Sequence, residues 1–371
     1  MASQQQNFTI GVEEEYQIVD PSTRQLCPSS LQLLPAAQQQ LGERVGTEIC
    51  LTQLEVSTPV CSTLQEVRQS LQHARRILTE IAWQEGKQVF SAGLHPFSHW
   101  SEQPLTPAHR YQELERIYQH LAREQAVCGY HIHVGMHNRE LALRIVNRMR
   151  PWLPVLLALS ASSPFWLGND TGYASFRTLI WSRWPLSGPP PQFSSLEEHE
   201  MLMRALVATG AMADPTFIYW DARLSVRYPT IEVRVADACL TVDEAVMLAG
   251  LTRALVWTCY EQELQHLPLL DVRFELLRLA HWQAARYGLC GALLDLEEQC
   301  LLPAAVLVDK FLYMVRAALE RQGEWGIVSA LVHSIIYEGN GAARMRAMYQ
   351  RSQRYADVVD LLVEEMVKGV F

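Results

Sequence analysis

The sequence predicts an α+β fold: an antiparallel sheet with one face covered by helices and a polar, functional opposite face. Three observations carry this. Four short segments alternate apolar and polar residues with a period of two. Longer segments between and after them repeat apolar residues every three to four positions behind helix-capping signals. The polar sides of the short segments concentrate glutamate, histidine and arginine.

In chain order, Phe8 to Val19 is the first strand, with Phe8, Ile10, Val12, Tyr16 and Ile18 on one face and Glu13, Glu15 and Gln17 on the other. Glu14 falls on the apolar side, where a carboxylate needs a partner or a sheet edge. Gln53 to Ser57 alternates likewise, Leu54 and Val56 opposing Glu55. Thr63-Leu-Gln-Glu66 is a capping box opening a helix through about Gln84, striped by Leu64, Val67, Leu71, Ile77, Leu78 and Ile81. Thr106-Pro107 reads as an N-cap followed by a first-turn proline, with the helix running toward Val127. In Tyr130-His-Ile-His-Val134 two histidines oppose Tyr130, Ile132 and Val134. Ser187 to Ser195 is a Pro-rich loop, read as a linker in preference to an active-site lid. In Thr230 to Asp237, Glu232 and Arg234 oppose Ile231, Val233 and Val235. Thr241-Val-Asp-Glu244 is a second capping box, and from there to Phe371 the chain reads as mainly helical. No repeat or composition shift divides it, so one domain over 1–371 is expected, sheet-rich in 1–238 and mainly helical in 239–371.

The 371 residues are 49% hydrophobic and 19% charged, an ordinary globular balance. A formal net charge of −9 argues against a nucleic-acid or anionic-membrane surface, where a basic face supplies the affinity. An acidic chain can still take ATP if its carboxylates first capture divalent metal. The eight cysteines are scattered without metal-finger or C-x-x-C spacing, as expected of reduced, mostly buried thiols. The first residues, Met-Ala-Ser-Gln-Gln-Gln, lack signal-peptide character, and the most apolar stretch, Pro151 to Ala161, is short of the roughly 20 residues a membrane span needs. A cytoplasmic protein is expected, with a homodimer as the default assembly.

The strand-face residues carry the chemistry. Glu13, Glu15, Glu55 and Glu232 would repel one another on a shared surface unless a cation sits among them. Several carboxylates with a neutral imidazole, here His131, are the ligand set of hard divalent cations such as Mg²⁺ or Mn²⁺, while no thiolate or histidine cluster favours zinc. Glu232-x-Arg234 is either a cross-strand ion pair worth about 0–1 kcal/mol if exposed, or a metal carboxylate beside a guanidinium clamp on a phosphoryl oxygen. No glycine-rich phosphate loop, dinucleotide turn or nucleophile elbow occurs, so a nucleotide would be held through metal and arginines.

Gly11-Val-Glu-Glu-Glu15, Gln53-Leu-Glu55, Gly129-Tyr-His-Ile-His-Val-Gly135 and Thr230-Ile-Glu-Val-Arg-Val-Ala-Asp237 together resemble the glutamate–cysteine ligase type 2 family of bacterial ATP-dependent carboxylate–amine ligases. Ala92-Gly-Leu-His-Pro-Phe97, Leu159-Ser-Ala-Ser-Ser-Pro164 and Trp220-Asp-Ala-Arg223 extend the likeness, which runs to about Gly288 and then fades. The resemblance implies a glutamine-synthetase-like curved antiparallel sheet with a concave active-site face. It implies ATP and Mg²⁺ (or Mn²⁺) as cofactors, L-glutamate as substrate, and L-cysteine or another amine as acceptor. ATP would phosphorylate the γ-carboxylate, and the amine would displace phosphate to form an amide. Carried over by position, Glu13, Glu15, Glu48, Glu55, His131 and Glu232 are metal ligands. Arg234, with Glu232, is catalytic, and Arg177 and Arg223 bind substrate. Two readings from other classes stay open: a metal-dependent hydrolase using the same carboxylates on water, and a non-catalytic ATP-binding relative.

Overall fold

The computed structural model describes residues 8–371; the N-terminal stretch read as lacking a signal peptide lies outside them. Seven strands form one sheet: β1 (Ile10–Val19), β2 (Val45–Thr47), β3 (Gln53–Ser57), β4 (Gln88–Phe90), β5 (Gly129–Gly135), β6 (Ala222–Leu224) and β7 (Thr230–Asp237). The order is β6-β7-β5-β1-β3-β2, with β4 paired to the end of β1, and every pairing is antiparallel. The four expected strands are therefore four neighbours at the middle of the sheet, which brings their polar faces together.

The helices that position the site are α1 (Leu64–Gln84), α2 (His109–Tyr118), α3 (Phe176–Trp181), α4 (Val242–Leu264) and α5 (Phe274–Tyr287). The Thr63 hydroxyl accepts from the Glu66 N–H at 3.2 Å and starts α1, whose expected apolar stripe is buried. The Thr241–Glu244 capping box closes in both directions and starts α4, buried almost without interruption from Val242 to Val256. Both helices cover the apolar sheet face, where Ile10, Val12, Tyr130, Ile132 and Val233 join one core with residues of α4. The segment 151–161 contains the fully buried helix Leu153–Ser160. Among the described residues no helix is long and apolar enough to cross a membrane. None of the eight cysteines is paired.

Glu14 finds its partner on this apolar side. Arg75 of α1, wholly buried, meets it with Nη2 at 2.6 Å from Oε1 and Nε at 3.1 Å from Oε2. The Tyr16 hydroxyl also donates to Glu14. The remaining Arg75 donors reach the carbonyls of Leu240 at 2.8 Å and Cys239 at 2.9 Å. One buried guanidinium thus ties β1, α1 and the entry to α4 together.

Two expectations need correction. Thr106 does not cap a helix, because its hydroxyl donates to the Glu48 carbonyl at 2.5 Å. α2 begins at His109, stops at Gln119 (φ +50°) and is followed by the single turn His120–Arg123. The Pro-rich loop is neither a lid nor a loose linker. Asn147 brackets the Phe193 backbone, and Arg150 donates to the Pro190 carbonyl at 2.9 Å and to Gln192 Oε1 at 2.7 Å. The C-terminal third is mainly helical, with one hairpin of strands Ala292–Asp295 and Cys300–Pro303 between its helices.

The last strand departs from strict alternation. Val233 faces Ile132 while Ala236 faces Tyr130, so β7 spends three residues where β5 spends two. This bulge at Arg234–Val235 reverses the parity beyond it. Glu232 pairs with His133 before the bulge and Asp237 with Gly129 after it, which places both acids on the polar face.

Candidate active site

The polar sheet face is the floor of a cavity of about 380 Å³. Register sets the floor: Glu13 lies opposite His131, Glu15 opposite Glu55, and Glu232 opposite His133. Directly opposed residues bring their Cβ atoms within about 5 Å, so these side chains interact. His131 Nδ1 is 3.1 Å from Glu13 Oε2 and its Nε2 3.7 Å from Glu15 Oε1, while His133 Nε2 is 3.5 Å from Glu13 Oε1. Glu15 Oε2 also accepts from the Gly129 N–H at 2.7 Å. Glu48 joins from the turn between β2 and β3, where the Thr106 and Ile49 bonds hold it. Tyr111 and Arg110 of α2 form one wall, and Trp181 of α3 with Tyr219 the other.

Glu13, Glu55 and His131 bring one donor atom each within 4.8 Å of one another, and Glu15, Glu48 and Glu55 do the same, so two groups share Glu55. Their electrostatics are those of a cluster wanting positive charge. Burial and the Glu48 carboxylate push Glu15 up to about 8. Burial and the charges of Glu48, Glu13 and Glu15 push Glu55 well above the usual range. Burial also raises Glu48. Burial and the nearby Arg234 lower His131 to about 4, leaving the neutral imidazole that binds metal. For Glu13, burial pushes upward, but the hydrogen bond from His131 and the closeness of His133 outweigh it and hold the carboxyl below the usual range. An oxygen-rich donor set with one neutral imidazole and no thiolate fits Mg²⁺ or Mn²⁺.

Glu232, expected as a ligand, is not brought into either group. Arg223 grips it with Nε–Oε2 and Nη2–Oε1 contacts of 3.0 Å each, and Arg234 Nη1 lies 2.5 Å from Oε1. Burial raises the Glu232 carboxyl, yet the two guanidinium charges overcome that and keep it ionised. Arg223 is further anchored to the Ile218 carbonyl, so it is a brace at the cavity edge. Arg234 reaches inward to within 3.4 Å of His131 Nδ1, and its buried Nε has no hydrogen-bond partner.

Arg177, 3% exposed, crosses the floor above Gly129. A Cβ on Gly129 would lie 2.3 Å from Arg177 Nη2, so glycine is what lets the guanidinium descend. Its Nη1 is 3.6 Å from Asp237 Oδ1, its Cζ is 5.7 Å from the Trp181 ring centroid, and its buried Nε is unpartnered. Asp237 is fully buried and accepts from the Ser162 N–H and from the Ser163 and Ser175 hydroxyls at 2.7–2.9 Å. Of the expected site residues, Glu13, Glu15, Glu48, Glu55, His131, Arg177, Arg223, Glu232 and Arg234 all line this one cavity. Asp237, His133, Arg110 and Tyr111 were not singled out. His133 shared its face with His131 and was legible; Asp237 was hidden by the bulge.

The model of the Glutamate-cysteine ligase family 2 matches residues 9–365, so the likeness continues past Gly288 where the short motifs fade. A protein of Rhodopirellula baltica named "Putative glutamate–cysteine ligase 2" is 40% identical over 356 residues, 95% of this chain and 96% of that protein. A namesake from Saccharopolyspora erythraea, numbered 2-1, is 41% identical over 361 residues, 97% and 95% of the two chains. Among solved structures, a glutamate–cysteine ligase from Francisella tularensis in complex with AMP superposes with a TM-score of 0.74 at 10% identity, over 97% of this chain and 89% of that one. A bifunctional glutathione synthetase from Pasteurella multocida gives 0.69 at 17% identity, over 98% of this chain and 53% of that one, so this chain spans about half its length.

Proposed function

We propose that this chain, which belongs to the glutamate–cysteine ligase family 2, is an ATP-dependent carboxylate–amine ligase acting on the γ-carboxylate of L-glutamate, with L-cysteine as the first acceptor to test. The observation that carries the reading is one cavity in which two carboxylate groups sharing Glu55 face two buried arginines with unpartnered Nε–H groups. Carboxylates alone suit many metal reactions. Arginine donors set against them suit the transfer of a phosphoryl group between anions.

Glu13, Glu55 and His131 would hold one divalent ion, and Glu15, Glu48 and Glu55 a second. Mg²⁺ or Mn²⁺, when bound, neutralises phosphate charge and polarises the phosphoryl oxygen. Arg234, fixed by Glu232, donates to the oxygens of the phosphoryl group in transit and offsets their growing charge. Glu232 is a positioning residue, itself held by Arg223. Arg177 takes the carboxylate of the amino-acid substrate through its free Nε–H. Trp181 and Tyr219 keep water away from the acyl phosphate. The γ-carboxylate oxygen attacks the terminal phosphorus, ADP leaves, and the amine then displaces inorganic phosphate to give the amide.

The test is ADP release in the presence of Mg²⁺, glutamate and a panel of amines. Turnover requires ATP and glutamate together, and Arg234→Ala lowers kcat/KM by about 10²–10³-fold. Product formation without nucleotide would favour a hydrolase, and a folded Arg234→Ala variant with natural turnover would overturn the residue assignment.

A further inference from the structure

At the edge of the sheet, beside β6, lies a cavity of about 230 Å³. The helix Leu196–Ala208 contributes His199, Glu200 and Arg204 to its lining, and Arg139, the first residue of the helix Arg139–Met149, adds a further guanidinium. Ile218 and Trp220, both buried, give it an apolar floor. Arg223 lines this cavity as well as the carboxylate one. All its nitrogens are engaged, Nε and Nη2 on Glu232 and Nη1 on the carbonyls of Ile218 and, at 3.3 Å, of Thr216. Arg223 is therefore a partition, and a ligand on its outer side must find other donors.

Those donors are present and unused. Arg139 and Arg204 make no hydrogen bond among the described residues, and each only approaches Glu200, at 4.0 Å and 3.8 Å. Two guanidiniums thus converge on one spot and share one carboxylate, the only one lining the cavity among the described residues, which leaves positive charge there. His199 is 7% exposed, and neither of its ring nitrogens has a hydrogen-bond partner. Buried polar groups are ordinarily satisfied. Burial and the nearby Arg139 hold this imidazole below its usual range, so it is neutral and carries one N–H. Register adds a backbone donor: Arg223 pairs with Glu232 and the Ser225 N–H donates to the Thr230 carbonyl at 3.0 Å, so Leu224 between them turns its N–H away from β7 to the open edge. Apolar walls with a few placed polar groups make a ligand site, and 230 Å³ suits a molecule smaller than the drug-sized ones that fill about 300–1,000 Å³.

We propose that this edge cavity binds a small organic anion, a carboxylate on an apolar body the size of one aromatic ring. Arg139 and Arg204 take the carboxylate, whose two oxygens match the fork of a guanidinium. The His199 and Leu224 N–H groups are the neutral donors beside them, and the apolar body lies against Ile218 and Trp220. The site stands apart from the phosphoryl-transfer cavity, behind Arg223, and draws nothing from the ligase reading.

The experiment titrates benzoate calorimetrically into the whole chain at neutral pH and low salt, with benzamide and acetate as controls for the charge and for the apolar body. Benzoate binds with a Kd of about 1 mM or tighter, and both controls are at least about tenfold weaker. Arg139 and Arg204 have side chains at least half exposed, so Arg139→Gln/Arg204→Gln leaves the fold intact and weakens benzoate at least about tenfold. His199→Phe keeps a ring against Phe193 and Trp220 but removes both nitrogens, and weakens benzoate about fivefold without lowering the thermal midpoint. Should that variant not fold, the arginine pair decides. Arg177→Ala, in the other cavity, leaves benzoate within twofold. No binding at about 10 mM benzoate, benzamide binding as tightly, or equal binding in the Arg139→Gln/Arg204→Gln chain overturns the site. Binding lost in Arg177→Ala and kept in the arginine pair places benzoate in the phosphoryl-transfer cavity and overturns it as well.

Discussion

Gly129→Ala tests the placement of Arg177 without removing any charged group, although the added methyl also comes within 3.1 Å of His131 Nε2. The added methyl would meet Arg177 Nη2 at 2.3 Å, and ordinary contact begins about 1 Å farther out. The backbone of β5 is held on both sides by β1 and β7, so the guanidinium gives way. Moving off, it loses its place beside Asp237 and against Trp181. A misplacement of about 1 Å in a substrate-positioning group can cost about 10²-fold in rate, or ~2.7 kcal/mol of transition-state stabilisation. Stability moves the other way: alanine in a strand interior is favoured over glycine by roughly 0.5–1 kcal/mol, which offsets the cost of shifting a flexible side-chain end. The expected outcome is a thermal midpoint within a few degrees of the natural chain and glutamate-dependent ADP release down about a hundredfold. The double variant Gly129→Ala/Arg177→Ala separates the two contacts: with Arg177 truncated, the methyl keeps only its 3.1 Å approach to His131 Nε2, so most of its effect should vanish. Natural activity in Gly129→Ala, or additive losses in the double variant, would refute the reasoning.

Two further predictions concern groups that hold the floor in place. Arg75→Met strands a buried Glu14 and two carbonyls, so it should cost at least about 3–5 kcal/mol in urea unfolding, whereas the paired Arg75→Met/Glu14→Leu change should recover most of that loss; equal losses would show that the pair is not the cause. His95 is 2% exposed, contacts the Arg24 carbonyl through Nε2 at 2.8 Å and accepts the Ser98 N–H at Nδ1, and burial lowers it to about 3. Its folded value lies below the unfolded one of about 6.5, so its stability contribution is full above pH 6.5 and is lost as pH falls toward 3. The stability gap between the natural chain and His95→Gln should therefore shrink by about 2 kcal/mol from pH 6.5 to 4.5, and a gap constant across that range would refute the assignment.

The sheet and its floor were legible because both depend on a period of two. Four strands alternating apolar and charged residues have one way to bury their apolar sides, and adjacency then follows from antiparallel neighbours sharing a core. Glu13, Glu15, Glu55, His131 and Glu232 needed nothing more. The walls were not legible, since they rest on tertiary partners that leave no periodic trace. Thr106 looks like an N-cap in isolation, but Glu48, 58 residues earlier, takes its hydroxyl. Glu14 looks misplaced until Arg75 arrives from another element.

The bulge in β7 shows why the site could not be completed by alternation alone. In an unbroken strand Glu232 and Arg234 would face the cavity, and Asp237 would point into the apolar core without donors. The extra residue turns Asp237 back to the polar side, under three donors from the Ser162–Ser175 region, where it meets Arg177. The same register sets Gly129 opposite Asp237, and its missing side chain is the space Arg177 occupies. Bulge, glycine and arginine are therefore one device. The bulge supplies the buried anion, the glycine opens the approach, and the arginine arrives with its Nε–H still free. Its geometry spans three elements, so no single one of its residues could reveal it in the sequence.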